Sequence, residues 1–209
     1  MVRIVVTTEN MDEALNQAVA ILSRGGLVAF PTDTVYGVGA MVFNEDAVER
    51  LFTTKIRDRS KAIPVLLSQV RDLNRVAQHV PPPAWRLAGA FWPGPLSMVV
   101  PKAPAVPDVV TAGGPTVAVR IPNHSLARRL IQRARSPLAT TSANLSGHPD
   151  SITADEVEAA LGDAVDLLLD GGSCPGALAS TVIDLTVSPP KVLRWGSIRW
   201  EDMEPLLMS

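Results

Sequence analysis

Leu27-Val28-Ala29-Phe30-Pro31-Thr32-Asp33-Thr34-Val35-Tyr36-Gly37-Val38-Gly39 is the stretch on which the fold reading turns. Residues 27–30 are a short apolar run and read as a buried strand. Pro31 stops it, because proline has no N–H to give to a sheet ladder. The run opens into hydroxyls, one carboxylate, the single tyrosine of the chain and two glycines. Hydroxyls and free backbone N–H groups at a strand end can grip a small polar ligand. The same residues also suit a tight turn closed by side-chain-to-backbone bonds.

Outward from this segment, the spacing alternates between strand and helix. Residues 2–7 read as a β-branched strand, and residues 12–23 as a helix ended by Gly25-Gly26. Residues 45–54 form a second helix, residues 63–67 a strand, and Ser68 caps a third helix to about Ala77. Pro81-Pro82-Pro83 breaks the chain before a helix over residues 84–91. Strands follow at 96–100 and 116–121, joined by a Pro/Gly/Ala loop over 101–115. Residues 125–134 are a helix whose polar face (Arg128, Arg129, Gln132, Arg133) reads as solvated. Strands at 138–141, 165–169, 181–185 and 192–194, a capped helix at 153–161 and a helical tail from Ile198 complete the pattern. No low-complexity linker divides it. The expectation is one α/β domain over residues 1–209, with a mixed, twisted sheet and a motif-bearing core of about 10–197. Several strands end at Gly, Ser or Thr clusters, where sites on such sheets lie.

Composition bounds the function. The 209 residues carry 19 Lys+Arg against 21 Asp+Glu, a formal net charge of −2. That excludes a strongly basic nucleic-acid coat and leaves room for a local basic groove. Hydrophobic residues make 46% and charged residues 19%, which excludes a disordered chain. Aromatics, at 4%, are too few for a platform that stacks bases. The single cysteine, Cys174, excludes an internal disulfide framework and a Cys-cluster zinc site. In its Gly-Gly-Ser-Cys-Pro-Gly turn it reads as a buried or incidental thiol. No stretch approaches the roughly 18 apolar residues of a membrane span, and residues 1–10 lack a signal-peptide pattern. The chain reads as soluble and cytoplasmic.

Two further clusters carry chemistry. In Lys55-Ile56-Arg57-Asp58-Arg59-Ser60-Lys61, an extended backbone would put Lys55, Arg57, Arg59 and Lys61 on one side. Four like charges together suit a polyanion such as a triphosphate, although a charge run can also be a solvated loop. Thr140-Thr141-Ser142-Ala143-Asn144-Leu145-Ser146-Gly147 offers four hydroxyls and an amide after an apolar strand. Neither a Walker A loop nor GxGxxG is present. A serine hydrolase would need a nucleophile elbow, and none exists. His79, His124 and His148 are scattered without ligand spacing. Arg120 and Arg194 each end an apolar strand and need an anion or an ion pair.

Together these residues resemble the YrdC/TsaC family, the threonylcarbamoyl-AMP synthases. The matching segments are PTDTVYGVGA, KIRDRSKAIPVLL, FWPGPLSMVV, VAVRIPNHSLA, TTSANLSG, STVIDL and VLRWG, in family order from about Val28 to Gly196. The resemblance implies an α/β domain with a concave, positively charged cavity. It implies an enzyme that joins L-threonine, bicarbonate or CO2 and ATP into L-threonylcarbamoyl-AMP and pyrophosphate. A partner complex then transfers the threonylcarbamoyl group to position 37 of tRNA, and a weak tRNA contact is a further expectation. Mg²⁺ would accompany the ATP phosphates.

Carried over by motif, Lys55, Arg57 and Lys61 would bind phosphates. Ser142 and Asn144 would complete a catalytic tetrad with Lys55 and Arg57. Thr116 and Arg194 would lie near the nucleotide. Thr34, Arg120, Thr140, Ser180 and the backbone of Leu66 would hold threonine, with Arg120 on its carboxylate. Ile56 stands where the family often has glycine, Lys61-Ala62-Ile63 where it often has Lys-Pro-Leu, and Arg194-Trp195-Gly196 where it often has Arg-Pro-Gly. The length matches the short form of the family or a truncated piece of the longer form. Two other readings stay open on the residues: a non-catalytic RNA-binding module, and a carbamoyl-adenylate-forming domain of the hydrogenase-maturation type.

Overall fold

The computed structural model describes residues 1–55, 58–176 and 179–208. In chain order the elements are β1 (Val2–Val5), α1 (Met11–Ser23), β2 (Val28–Phe30), β3 (Gly37–Met41), α2 (Glu45–Lys55), β4 (Val65–Leu66), α3 (Leu73–Val76), α4 (Pro82–Phe91) and β5 (Leu96–Pro101). They continue with α5 (Asp108–Thr111), β6 (Thr116–Arg120), α6 (Ser125–Ala134), β7 (Leu138–Ser142), α7 (Ala154–Leu161), β8 (Leu167–Asp170), β9 (Thr181–Asp184), β10 (Lys191–Arg194) and α8 (Trp200–Leu207).

Among the described residues one sheet takes in every strand, in the order β1-β8-β2-β3-β7-β4-β6-β5-β9-β10. It is mixed: β8 runs parallel to β1 and β2, and β4 parallel to β6. Antiparallel pairs include β2–β3, β3–β7 and β5–β6.

Strand side chains alternate between faces, so each strand feeds two layers. In β2, Val28 and Phe30 join the layer under α1 and α6, while Ala29 joins the layer on the other face. The apolar stripe of α6 (Leu126, Ala127, Leu130, Ile131, Ala134) recurs at helical spacing and is wholly buried. Its polar face is not simply solvated. Arg133 bonds the Asp12 carbonyl and Asn16 and ion-pairs with the Asp12 carboxylate, so it ties α6 to α1.

The other face has one continuous apolar layer, to which β4, β6, β5 and β9 contribute Val65, Val119, Met98 and Ile183. Their opposite side chains form the rest of the first face. There Ser97, Ala118, Arg120 and Val182 replace the bulky apolar residues that a helix would cover, and they line an open concavity. The site therefore follows from the sheet pattern.

Three local expectations need correction. Gly37-Val38-Gly39 is an inner strand and not a turn. A Cβ at Gly37 would sit 2.8 Å from Thr140 Cγ2, and one at Gly39 3.2 Å from Phe30 Cε1, so these glycines let β3 lie close to its neighbours. The helix expected over 68–77 is a 3-10 turn (Val70–Asp72) followed by the one-turn α3. Ser68 does not cap it as expected: its hydroxyl donates to Asp72 at 2.7 Å, and Gln69 precedes the turn. The 101–115 connection contains α5.

The expected cap of α7 is present: Glu156 N donates to Thr153 Oγ1 at 3.3 Å, and Thr153 N donates to Glu156 Oε2 at 3.2 Å. Removing the hydroxyl by Thr153→Ala should cost about 0.5–2 kcal/mol. Leu130→Ala, at a position with no exposure, should cost about 2–5 kcal/mol. Urea denaturation measures both. Equal losses from the two variants would contradict the packing described.

Candidate active site

The concavity has a volume of about 300 Å³. Its floor comes from strands and its rim from the polar segment 31–36 and the stretch after β7. The two polar segments are laced together. Tyr36 N donates to Ser151 O at 2.8 Å, Ala143 N to Tyr36 O at 2.8 Å, and Ser151 Oγ to Ala143 O at 2.8 Å. Within 31–36, Thr32 Oγ1 donates to Val35 O at 2.7 Å and accepts from Thr34 N at 3.2 Å. The segment is thus both the hydroxyl-closed turn and the wall of the cavity.

At one end, α2 delivers Lys55. The side chain is 1% exposed, and the ammonium reaches Asn144 Oδ1 at 3.0 Å, Ser142 Oγ at 3.2 Å and Thr141 Oγ1 at 3.3 Å, besides the Ser142 carbonyl. Lysine at a helix C-terminus also meets the negative end of the helix dipole. The Lys55 carbonyl accepts from Ser146 N at 3.2 Å, so backbone and side chain both fasten α2 to the end of β7. Ser142 Oγ donates to Asn144 Oδ1 at 2.6 Å, and Asn144 Nδ2 donates to His148 O at 2.6 Å. A buried ammonium in such a shell of oxygens presents a fixed positive charge beneath Ser142.

At the other end, β6 delivers Arg120. Its Nε donates to Gly94 O at 3.0 Å, and its Nη2 lies 2.7 Å from Asp33 Oδ1. β10 delivers Arg194, whose Nε and Nη2 donate to Ser180 O at 3.1 and 2.9 Å, with Nη2 also 3.0 Å from Ser180 Oγ. Ser180 Oγ is 2.8 Å from Ser97 Oγ. Gly196 permits this clasp, because a Cβ there would sit 2.1 Å from Ala179 O. The Arg194 guanidinium is held below the ordinary arginine range, first by burial and then by the like charge of Arg120, with Asp150 opposing. A like charge that depresses the charged form of Arg194 favours an anion beside it.

Thr34, Leu66, Arg120, Thr140, Ser142, Ser180 and Arg194 therefore share one cavity. Lys55 and Asn144 stand directly behind Ser142. Two expected nucleotide residues do not line it. Thr116 starts β6, at the opposite end of the strand from Arg120, and Lys61 is exposed on the connection from α2 to β4. Arg57 lies outside the described residues.

The extended stripe of four cations is corrected too. Lys55 is helical, and Arg59 turns away to pair with Glu49 at 2.7 Å and to lie over the Phe52 ring. The sequence reading missed Asp150 and the pairing of Asp33 with Arg120. Asp150 lines the cavity and Asp33 backs Arg120, and both are contacts between distant segments that no local pattern reports. Among the described residues no group of three or more His, Cys, Asp or Glu gathers to hold a metal ion. Among them also, no helix is long and apolar enough to cross a membrane.

Fold and cavity define an α/β protein with a polar cavity, lined by Arg120 and Arg194, on one face of a mixed sheet. A family model described as Telomere recombination, which covers Sua5, YciO and YrdC proteins, matches residues 20–196. The chain belongs to that family. It is 39% identical over 208 residues to a threonylcarbamoyl-AMP synthase of Pyrococcus abyssi, covering 99% of this chain and 61% of that one. The chain thus spans about three fifths of that relative. The crystal structure of P. abyssi Sua5 complexed with L-threonine superposes with a TM-score of 0.90 at 39% identity, over 98% of this chain and 59% of that one. Escherichia coli YciO superposes with a TM-score of 0.82 at 25% identity, over 97% of each chain.

Cys174 is 6% exposed, and burial pushes its thiol up to about 11. At pH 8 the thiol is almost entirely protonated. Reaction with a disulfide reagent should be slow in the native protein and fast in urea. Equal rates in both would contradict the burial.

Proposed function

We propose that this chain forms L-threonylcarbamoyl-AMP and pyrophosphate from L-threonine, bicarbonate or CO2, and ATP, for the threonylcarbamoyladenosine modification of tRNA position 37. The single observation that carries this reading is a cavity lined by Arg120 and Arg194, with Lys55 buried behind its Ser142 wall, in a chain 39% identical to the P. abyssi Sua5 whose structure is complexed with L-threonine. Each end matches one demand of the chemistry.

Arg120 takes the threonine carboxylate, since a guanidinium fork matches a carboxylate. Thr34, Thr140 and Ser180, with the Leu66 backbone, orient the rest of the amino acid. The threonine amine adds to CO2 and loses a proton, giving an N-carboxylate. A carboxylate oxygen attacks the α-phosphorus of ATP, and the bond to pyrophosphate breaks. No protein nucleophile is required. Catalysis here is positioning and neutralisation of the charge that builds up.

Lys55, with Arg57 from the adjoining segment, supplies that positive charge, and Ser142 and Asn144 fix the ammonium in place. Arg194, clasped to Ser180 near Arg120, reaches the nucleotide from the threonine end. Mg²⁺ enters as part of the MgATP substrate. The product is a mixed anhydride, so the tRNA step belongs to a partner complex that accepts it.

Incubation with ATP, L-threonine and bicarbonate, followed by mass spectrometry, should detect threonylcarbamoyl-AMP. Carbamoyl-AMP formed from carbamoyl phosphate and ATP, with no threonylcarbamoyl-AMP from threonine, would overturn the reading in favour of the carbamoyl-adenylate class. Salt-sensitive tRNA binding without ATP turnover would overturn it in favour of an RNA-binding module. Lys55→Ala should lower product formation at least about 100-fold at unchanged secondary structure. Arg120→Ala should raise the threonine KM about tenfold or more and leave the ATP KM nearly unchanged. Wild-type activity of Lys55→Ala, or an unchanged threonine KM in Arg120→Ala, would remove those residues from these roles.

A further inference from the structure

Asp33 does not line the cavity that holds Thr34 and Arg120. It lines a second one of about 550 Å³, together with Thr34, Gly94, His124 and Ser173. The turn at residues 33–34 is thus a partition, and Asp33 meets the guanidinium from behind. Both side chains are largely buried, at 9% exposure for Arg120 and 14% for Asp33.

Asp33 Oδ1 and Arg120 Nη2 lie 2.7 Å apart but off the hydrogen-bond axis, and neither atom has another hydrogen-bond partner. Nε is committed to Gly94 O. The carboxylate thus sets where the charge stands without closing a fork-to-fork pair, while Arg120 still lines the cavity. Of the other titratable neighbours, Arg194 is a second cation in the cavity, and Asp150 opposes it. Burial pushes the His124 imidazole toward its neutral form against the pull of Asp33, and the Cys174 thiol stays protonated.

An arginine alone at this end would bind a phosphate dianion at least as well as a carboxylate. With Asp33 against Arg120 and Asp150 opposing Arg194, the charges at this end are close to balanced. A zwitterion's single carboxylate still fits, while a second negative charge meets Asp33 at short range in a partly desolvated site.

We propose that Asp33 is a positioning and specificity-determining residue. It holds the Arg120 guanidinium at the cavity wall and tempers its charge, so that this end accepts the carboxylate of a zwitterionic amino acid and rejects phosphate. The inference rests on the reading of this end as the threonine site. It gives Asp33 a task separate from substrate contact, since the carboxylate acts through Arg120.

The test is calorimetric binding of L-threonine, alone and in competition with inorganic phosphate. The proteins are the wild type, Asp33→Asn, Asp33→Glu, Arg120→Ala and the double variant Asp33→Asn/Arg120→Ala. Asp33→Asn should weaken threonine binding about tenfold, and phosphate should now displace threonine where it does not in the wild type. Asp33→Glu, which keeps the charge, should recover part of the affinity and the resistance to phosphate. In the Arg120→Ala background, Asp33→Asn should have no further effect.

Threonine affinity and phosphate resistance unchanged in Asp33→Asn would overturn the proposal. So would the same loss in the Arg120→Ala background. Should Asp33→Asn fail to fold, Asp33→Glu carries the test: unchanged threonine affinity there overturns the proposal, and an intermediate loss supports it. A wild type that binds no threonine overturns the site reading itself. A wild type that binds it, with an indifferent Asp33→Asn, overturns only the role of Asp33.

Discussion

The ammonium of Lys55, buried among the oxygens of Thr141, Ser142 and Asn144, is the contact on which the rest of the site depends. It joins the last residue of α2 to the last turn of chemistry on β7. Burying a charge in this way is costly unless it is solvated by fixed oxygens. Ser142, Asn144 and the 144–148 stretch are held in place by those bonds, and by Asn144 to the His148 carbonyl. The helix packs its apolar face on the sheet, and its final lysine is thereby aimed at the end of an inner strand. Core packing and site geometry are one arrangement at this point.

The second constraint is the uncovered face. β4, β6, β5 and β9 bury one set of side chains in the main core, while small and polar residues occupy the other. Arg120 sits at the end of β6 beside Leu66 of β4, by the parallel register of those strands. The cavity thus has Lys55 buried behind its Ser142 wall and the paired Arg120 in its lining. The formal net charge of −2 conceals this layout. Among the described residues, six arginines, at 3, 50, 59, 120, 133 and 199, are ion-paired. The positive charge that serves chemistry is set by the fold and not by the total.

Much of this was legible in the sequence. The alternation of buried strands and amphipathic helices gave the α/β class, polar clusters at strand ends marked Thr34, Thr140 and Ser142, Arg194 stood out as an arginine ending an apolar strand, and Ser180 came from the family resemblance alone. What escaped was non-local. Gly37 and Gly39 read as turn residues because glycine reports only its own freedom. Their reason is the side chains of Thr140 and Phe30 on neighbouring strands. The cation run from Lys55 to Lys61 looked like one stripe, yet α2 extends through Lys55 and Glu49 draws Arg59 back along the helix. Asp33 was visible as a carboxylate, but its partner Arg120 belongs to a strand far along the chain.

The central claim is that one concave face holds an amino acid at Arg120 and a nucleotide triphosphate toward Lys55. A crystal structure of the protein with L-threonine and a non-hydrolysable ATP analogue tests it most directly. The account predicts the threonine carboxylate on the Arg120 guanidinium and the phosphates beside Ser142, with the amine and the α-phosphorus facing each other across the cavity. Threonine bound elsewhere, or phosphates seated on Arg120, would contradict it.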